Sequence, residues 1–306
     1  MTPTKDTKSA TDQKHSHAMH REIYEQPTAI AKTVAKHLKD DIIFPGELDA
    51  IESALLTFEK LIIAASGSSR HAGLAGEIMI EDLSGVAVDV EYASEYCYRS
   101  THASVDPIVM VITQSGETAD TIAAQREALT RGVKTIAISN VPDTTIVREA
   151  GAALISGAGP ELSIPATKSF TTQLTILYLM ALFLARKRGR MTSEVTRSYL
   201  QRLMRLPEAI EKHLATWDSL AEEFGGAHFK AEKFLYLGRG VHYAIAREGA
   251  LKLRKFPMRT QKDIPPANSS MVPTRWWMRN YPSLCWPPAI TTIPIPCCAT
   301  AGRLKL

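Results

Sequence analysis

The chain has 306 residues, 45% of them hydrophobic and 22% charged, with a formal net charge of +4. This is ordinary globular usage, enough for one large or two smaller domains, and it excludes a disordered or fibrous chain. The charge is lopsided: residues 254–306 hold eight Lys or Arg and one acid, Asp263, so the rest is mildly acidic and lacks the basic footprint of a nucleic-acid binder.

Residues 1–20 read as a polar arm, and its histidines His15, His17 and His20 are assigned no metal chemistry. No hydrophobic signal segment occurs there, and no apolar run approaches the roughly 20 residues of a membrane helix, so a cytoplasmic location without a membrane partner is expected. Ile23, Ile30 and Val34 then recur at helical spacing, with Pro27 marking a break or a start. KLIIAAS, VAVDVEY, IVMVIT, KTIAIS and ALISG read as strands between helical patterns, among them HAGLAGEIMIEDL, TADTIAAQREALTRG and VPDTTIVREA. Gly132 ends the second of these as a C-cap glycine. A long helix spans about Thr167 to Lys187, a helical connector about 192–224, and KFLYLGRG with VHYAIAREGALKL restarts the strand-turn-helix pattern. Such alternation with short loops predicts an α/β fold, a doubly wound, mainly parallel sheet flanked by helices. Only Cys97 of the four cysteines lies outside the tail and no C-x-x-C spacing occurs, so neither a disulfide framework nor a metal site is implied.

Two strands run into small, hydroxyl-rich loops that open helices: Ser66, Gly67, Ser68 and Ser69, then Thr113, Gln114, Ser115, Gly116, Glu117 and Thr118. A helix N-terminus offers unpaired N–H groups and a favourable dipole, glycine admits close approach, and hydroxyls add neutral donors, so each loop suits a phosphate. Either loop alone could be a set of N-caps. Two at the carboxyl ends of adjacent parallel strands point to one ligand crevice. The dinucleotide and P-loop glycine fingerprints are absent, which favours a small phosphate ester and no cofactor. Thr167 and Lys168, after Pro165 and Ala166, form a third candidate loop in which Lys168 could face the ligand. Glu248 and Lys252 are an i,i+4 pair, most often structural by itself.

At these loops the sequence resembles the isomerase half of glutamine–fructose-6-phosphate aminotransferases, a tandem of two sugar isomerase (SIS) domains. SGSSRHAGLAGEIMIEDL, TQSGETADTIAAQREA, AGPELSIPATKSFTTQL and GRGVHYAIAREGALKL carry the resemblance, which runs over about residues 19–253. It implies that Gly67, Ser68, Ser69, Thr113, Gln114, Ser115, Thr118 and Ala166 hold a sugar phosphate, and that Glu248 and Lys252 stand among the catalytic groups of aldose-ketose isomerisation and amination, fructose 6-phosphate to glucosamine 6-phosphate or the reverse. It also implies a boundary scheme: a first SIS domain with lead-in helices over 21–190, a connector over 191–226, and the start of a second SIS domain over 227–253.

Three departures qualify the resemblance. The glutamine-hydrolysing half is missing. Ala166 stands where the family has a serine. After Leu253 the family continues with a segment like KEISYAHAEGYPAGELKHGP, whereas this chain reads RKFPMRTQKDIPPANSSMVP; one DNA string read in frames one base apart encodes both. Residues 254–306 therefore read as a frame-shifted, disordered tail that leaves the second SIS domain incomplete. The family's proton-shuttling carboxylate falls at Lys255 and its ring-opening histidine at Met271. Impaired catalysis is the expectation, with a non-catalytic phosphosugar-binding module as the alternative, and a family-like homodimer is in doubt.

Overall fold

The computed structural model describes residues 17–99, 106–228, 230–231 and 234–255 together with the backbone of 283–284. Residues 1–20 and 254–306, read from the sequence as a polar arm and an aberrant tail, thus lie almost wholly outside the described residues. Two lead-in helices, α1 (Ala18–Tyr24) and α2 (Gln26–His37), are divided at Glu25, with Pro27 in the first turn of α2. There its missing N–H costs nothing, because first-turn donors have no intrahelical acceptor. A two-residue hairpin, β1 (Leu38–Lys39) with β2 (Ile42–Ile43), and a short α3 (Glu52–Thr57) lead into the sheet.

All five expected strands form: β3 (Lys60–Ala65), β4 (Ala87–Tyr92), β5 (Pro107–Ile112), β6 (Lys134–Ser139) and β7 (Ala152–Ile155). They pair in the order β4-β3-β5-β6-β7, every pair parallel. The intervening helices are α4 (Gly67–Ser84), α5 (Ala93–Tyr96), α6 (Ala119–Thr130) and α7 (Thr145–Glu149), and α8 (Lys168–Lys187) follows β7. β5 is buried along almost its whole length, as a central parallel strand covered on both faces must be. Leu61 and Ile63 of β3 join the core cluster that includes residues of α2, α4 and α8, while Ala64 joins the opposite cluster with α5, α6 and α7. Period-two alternation thus divides one strand between two helical layers.

The tightest layer is α4 against α8. A Cβ added at Gly76 would lie 3.0 Å from both methyls of Leu177, and one at Gly73 would lie 3.0 Å from Ile63 Cγ2. The run Ala72, Gly73, Ala75, Gly76 is what lets α4 settle between the sheet and α8. α8 has 20 residues and a mean hydropathy of 1.3 in its most apolar window, so by length and composition it meets the test for a membrane span, contrary to the reading of the sequence; 78% of that window is buried in the core.

Three element boundaries differ from expectation. α4 begins at Gly67, so the GSSR stretch is the first turn of the helix rather than a free loop. α9 runs from Ser193 to His228, longer than the 192–224 pattern implied, and carries Pro207 inside it. Among the described residues the second strand-helix unit comprises β8 (Leu235–Tyr236), paired in parallel with β9 (Ser283–Leu284), and α10 (Val241–Lys255), which packs on α4. Leu177 is fully buried at the α4–α8 contact. Replacing it with Ala should lower the unfolding free energy by about 2–5 kcal/mol, read as a shift of the urea midpoint at unchanged slope.

Candidate functional site

The reversal of strand order between β3 and its neighbours puts the carboxyl ends of β3 and β5 side by side, with α4 and α6 leaving on opposite faces of the sheet. Ligands of doubly wound sheets bind at such a switch point. A cleft of about 290 Å³ opens there. All eight residues expected to hold a sugar phosphate line it: Gly67, Ser68, Ser69, Thr113, Gln114, Ser115, Thr118 and Ala166.

Ser66 and Thr118 occupy the N-cap positions of α4 and α6, yet neither side chain makes a capping bond. Thr118 Oγ1 instead lies 3.0 Å from Thr113 Oγ1, and Ser115 Oγ accepts from the Glu117 N–H at 3.2 Å. The turn between them depends on Gly116, whose φ is +73°; a Cβ there would meet Thr144 Oγ1 at 2.0 Å. The Glu117 carboxylate accepts from the Thr145 N–H at 2.7 Å and so fastens the loop to α7. Ser69 Oγ accepts from Gln173 Nε2 at 3.1 Å, which links the α4 loop to α8.

Sequence reasoning missed part of the wall. Thr121, Glu161, Ser163, Ile164, Ser169, Gln173 and Lys255 also line the cleft. Gln173 Oε1 and Thr121 Oγ1 are buried without a hydrogen-bond partner in the protein, and buried polar atoms of that kind are uncommon. Glu161 caps α8 in place of Thr167: its Oε1 accepts from the Thr167 N–H at 2.8 Å, the Thr167 hydroxyl at 3.1 Å and the Ser169 N–H at 3.2 Å, and its Oε2 takes the Ser169 hydroxyl. A carboxylate six residues before the N-cap of the helix it caps leaves no short-range motif to find. Lys168 does not face the cleft as expected; it is buried and its Nζ pairs with Glu25 at 2.5 Å.

Glu248 and Lys252 lie beside the cleft rather than in its wall. Glu248 is only 2% exposed. Its Oε2 lies 2.8 Å from His71 Nδ1 on α4, and its Oε1 takes Lys252 Nζ at 2.6 Å. Lys252 Nζ also donates to the Ala166 carbonyl in the third loop. Burial opposes ionisation of Glu248, but hydrogen bonds from His71, Lys252 and Ser68 outweigh it and bring the carboxyl down to about 2 from 4.5. It is therefore a fixed anion at neutral pH, and through it α10 is tied to α4 and to the rim of the cleft.

With this geometry in place, known proteins can be compared. The family model for the SIS domain matches residues 55–183. The glutamine–fructose-6-phosphate aminotransferase of Caldanaerobacter subterraneus is 38% identical over 251 residues, which cover 82% of this chain and 41% of that protein. The enzyme of the same description from Methanosarcina acetivorans is 41% identical over 244 residues, covering 79% and 39% respectively. The C-terminal domain of glucosamine-fructose-6-phosphate aminotransferase from Francisella tularensis superposes with a TM-score of 0.76 at 33% identity, over 80% of this chain and 69% of that one. The chain thus spans about two fifths of the length of the curated relatives it matches.

The depressed Glu248 carboxyl fixes the sign of a pH effect. Its contribution is complete above the ordinary carboxyl value of 4.5 and is lost as the pH falls from there towards 2. Glu248→Gln should destabilise the protein at pH 7 by on the order of 3 kcal/mol. Urea titrations of the two proteins should converge as the pH approaches 2.

Proposed function

Because the chain belongs to the SIS-domain family, as a relative of the isomerase half of glutamine–fructose-6-phosphate aminotransferases, we propose that its cleft binds a phosphorylated sugar of the fructose 6-phosphate or glucosamine 6-phosphate type. The observation that carries this reading is the pair of N-cap positions, Ser66 and Thr118, whose hydroxyls do not cap their helices and which share one cleft. The first-turn N–H groups of α4 and α6 converge with the hydroxyls of Ser68, Ser69, Thr113 and Ser115 on a volume suited to a phosphate and a short polyol. A phosphate accepts such bonds at low cost, because the donors are already positioned and already out of water. Gln173 Oε1 and Thr121 Oγ1, buried and unpartnered in the wall, would meet sugar hydroxyls.

In this reading Glu248 does not carry the proton between C1 and C2, since a carboxyl held near 2 is a poor base at neutral pH. It holds Lys252 against the third loop, at the edge of the cleft. The family carboxylate implied for the proton transfer falls at Lys255, which lines the cleft as a cation. A lysine there cannot replace a carboxylate as base without losing its own charge. That observation favours binding with impaired isomerisation, and it makes the non-catalytic phosphosugar-binding module a specific second reading. Residues 227–253 are read as the opening strand and helix of a second SIS domain.

Titration calorimetry with fructose 6-phosphate and glucosamine 6-phosphate should show binding. Each of Ser69→Ala and Thr118→Val should weaken it by roughly 10- to 100-fold, the worth of one hydrogen bond to a charged group. In deuterated water the bound sugar should exchange its C1 or C2 proton far more slowly than with a family enzyme. Affinity unaffected by both substitutions would sink the assignment of the cleft, and rapid exchange would sink the impaired-catalysis reading.

A further inference from the structure

A second cluster of polar groups lies outside the cleft, where α10 packs on α4. Arg70, in the first turn of α4, stacks its guanidinium on the ring of Tyr92 at 3.8 Å from the centroid. Tyr92 is the last residue of β4, so this point is also at the carboxyl end of the sheet. Arg247 of α10 completes the cluster: its Nη1 donates to Tyr243 Oη at 2.8 Å and its Nη2 to Tyr92 Oη at 3.4 Å. None of the four residues lines the cleft already described.

The charge balance of this cluster is incomplete. Arg70 Nε and Nη1 are buried and have no hydrogen-bond partner. Among the described residues no carboxylate comes within ion-pair distance of Arg70 or Arg247; Glu91 of β4, whose charge acts on Arg70, is paired with Arg99 at 2.5 Å. Burial first, and the neighbouring Arg247 second among the opposing influences, pull the Arg70 guanidinium below its ordinary value. A partly buried guanidinium with unpaired donors is costly, and a second one beside it raises the cost, unless an anion is shared between them. Tyr92 and Tyr243 are 45% and 49% exposed, so the rim of the cluster is open to solvent. Tyr hydroxyls tethered by one arginine, with the other arginine stacked flat on a ring, fix both guanidinium planes in advance. Fixed planes of this kind match the paired oxygens of phosphate or carboxylate.

We infer that Arg70 and Arg247, framed by Tyr92 and Tyr243, form a second binding site that takes a small oxyanion, a phosphate or carboxylate group, independently of the hydroxyl-lined cleft. The site joins α4 to α10, so an anion seated there would also brace the helix that carries Glu248 and Lys252.

Phenylglyoxal modification of Arg247, followed by peptide mass spectrometry on the full chain, tests this, with inorganic phosphate and malonate as the probes. At a probe concentration about ten times its dissociation constant, modification should slow about tenfold. Protection by phosphate alone identifies a phosphate site, and protection by malonate alone a carboxylate site; either supports the inference. Protection should persist in the Ser69→Ala/Thr118→Val protein, where the cleft is impaired, and should be lost in Arg70→Met, whose fold is checked by its unchanged far-ultraviolet circular dichroism. Protection by neither probe in the unmodified chain would overturn the inference. So would protection that disappears with the cleft substitutions, since the anion would then belong to the cleft. Failure of sugar phosphate binding at the cleft leaves the Arg247 readout untouched, so the two assignments fail separately.

Discussion

The position of β3 between β4 and β5 is the constraint on which the rest of the molecule depends. A parallel crossover is right-handed, so stepping from β3 to β4 and stepping from β5 to β6 place their helices on opposite faces of the sheet. α4 therefore joins the layer of α2 and α8, while α6 joins that of α5 and α7. Between the two departing helices the sheet has no cover at its carboxyl edge. Hydroxyls on the loops after β3 and β5 face each other across that gap, and α8 closes the third side through Gln173 and the Glu161-capped turn. The cleft is thus a product of topology first and of side-chain chemistry second.

Close packing makes the arrangement stiff. The small residues of α4 bring it against Ile63 and Leu177 with no spare volume at Gly73 or Gly76. The N-terminus of α4 is held by this contact, so the groups it presents to the cleft need not be ordered when a ligand arrives. Preorganised donors cost less at binding than donors that must be collected from solvent. Carboxylates extend the same stiffness outward. Glu22 accepts from the Leu162 and Ser163 N–H groups at 2.6 and 3.2 Å, Glu161 caps α8, and Glu248 fastens α10 to His71. Of these, Glu248 has hydrogen bonds from His71, Lys252 and Ser68 that outweigh its burial and keep it ionised.

α10 connects the two halves of this picture. It belongs by resemblance to a second SIS domain, yet here its buried face, Ala244 and Glu248, rests on the first. The Glu248 cluster and the Arg70–Arg247 cluster lie on the same helix pair, one at the inner face and one at the rim. Lys255, at the end of α10, reaches the cleft wall itself.

The sequence by itself determined the strands, the helices between them and the two hydroxyl-rich loops that form part of the cleft wall, because these are local quantities: period-two burial, apolar runs bounded by glycine, and hydroxyl-rich turns opening a helix. It also determined, through the resemblance, the class of protein. Only the tertiary structure decided that Lys168 turns away to Glu25, that Glu161 rather than Thr167 caps α8, that Gln173 reaches Ser69, and that His71 and Lys252 hold Glu248 ionised. Most of these unite groups that lie far apart along the chain, and even Glu161 acts through a turn no short motif marks, so the energies involved depend on burial and approach distances that no window of sequence contains. The Arg70–Arg247 pair was hidden for the same reason: the two arginines meet, with no carboxylate paired to either among the described residues, only once α10 lies on α4.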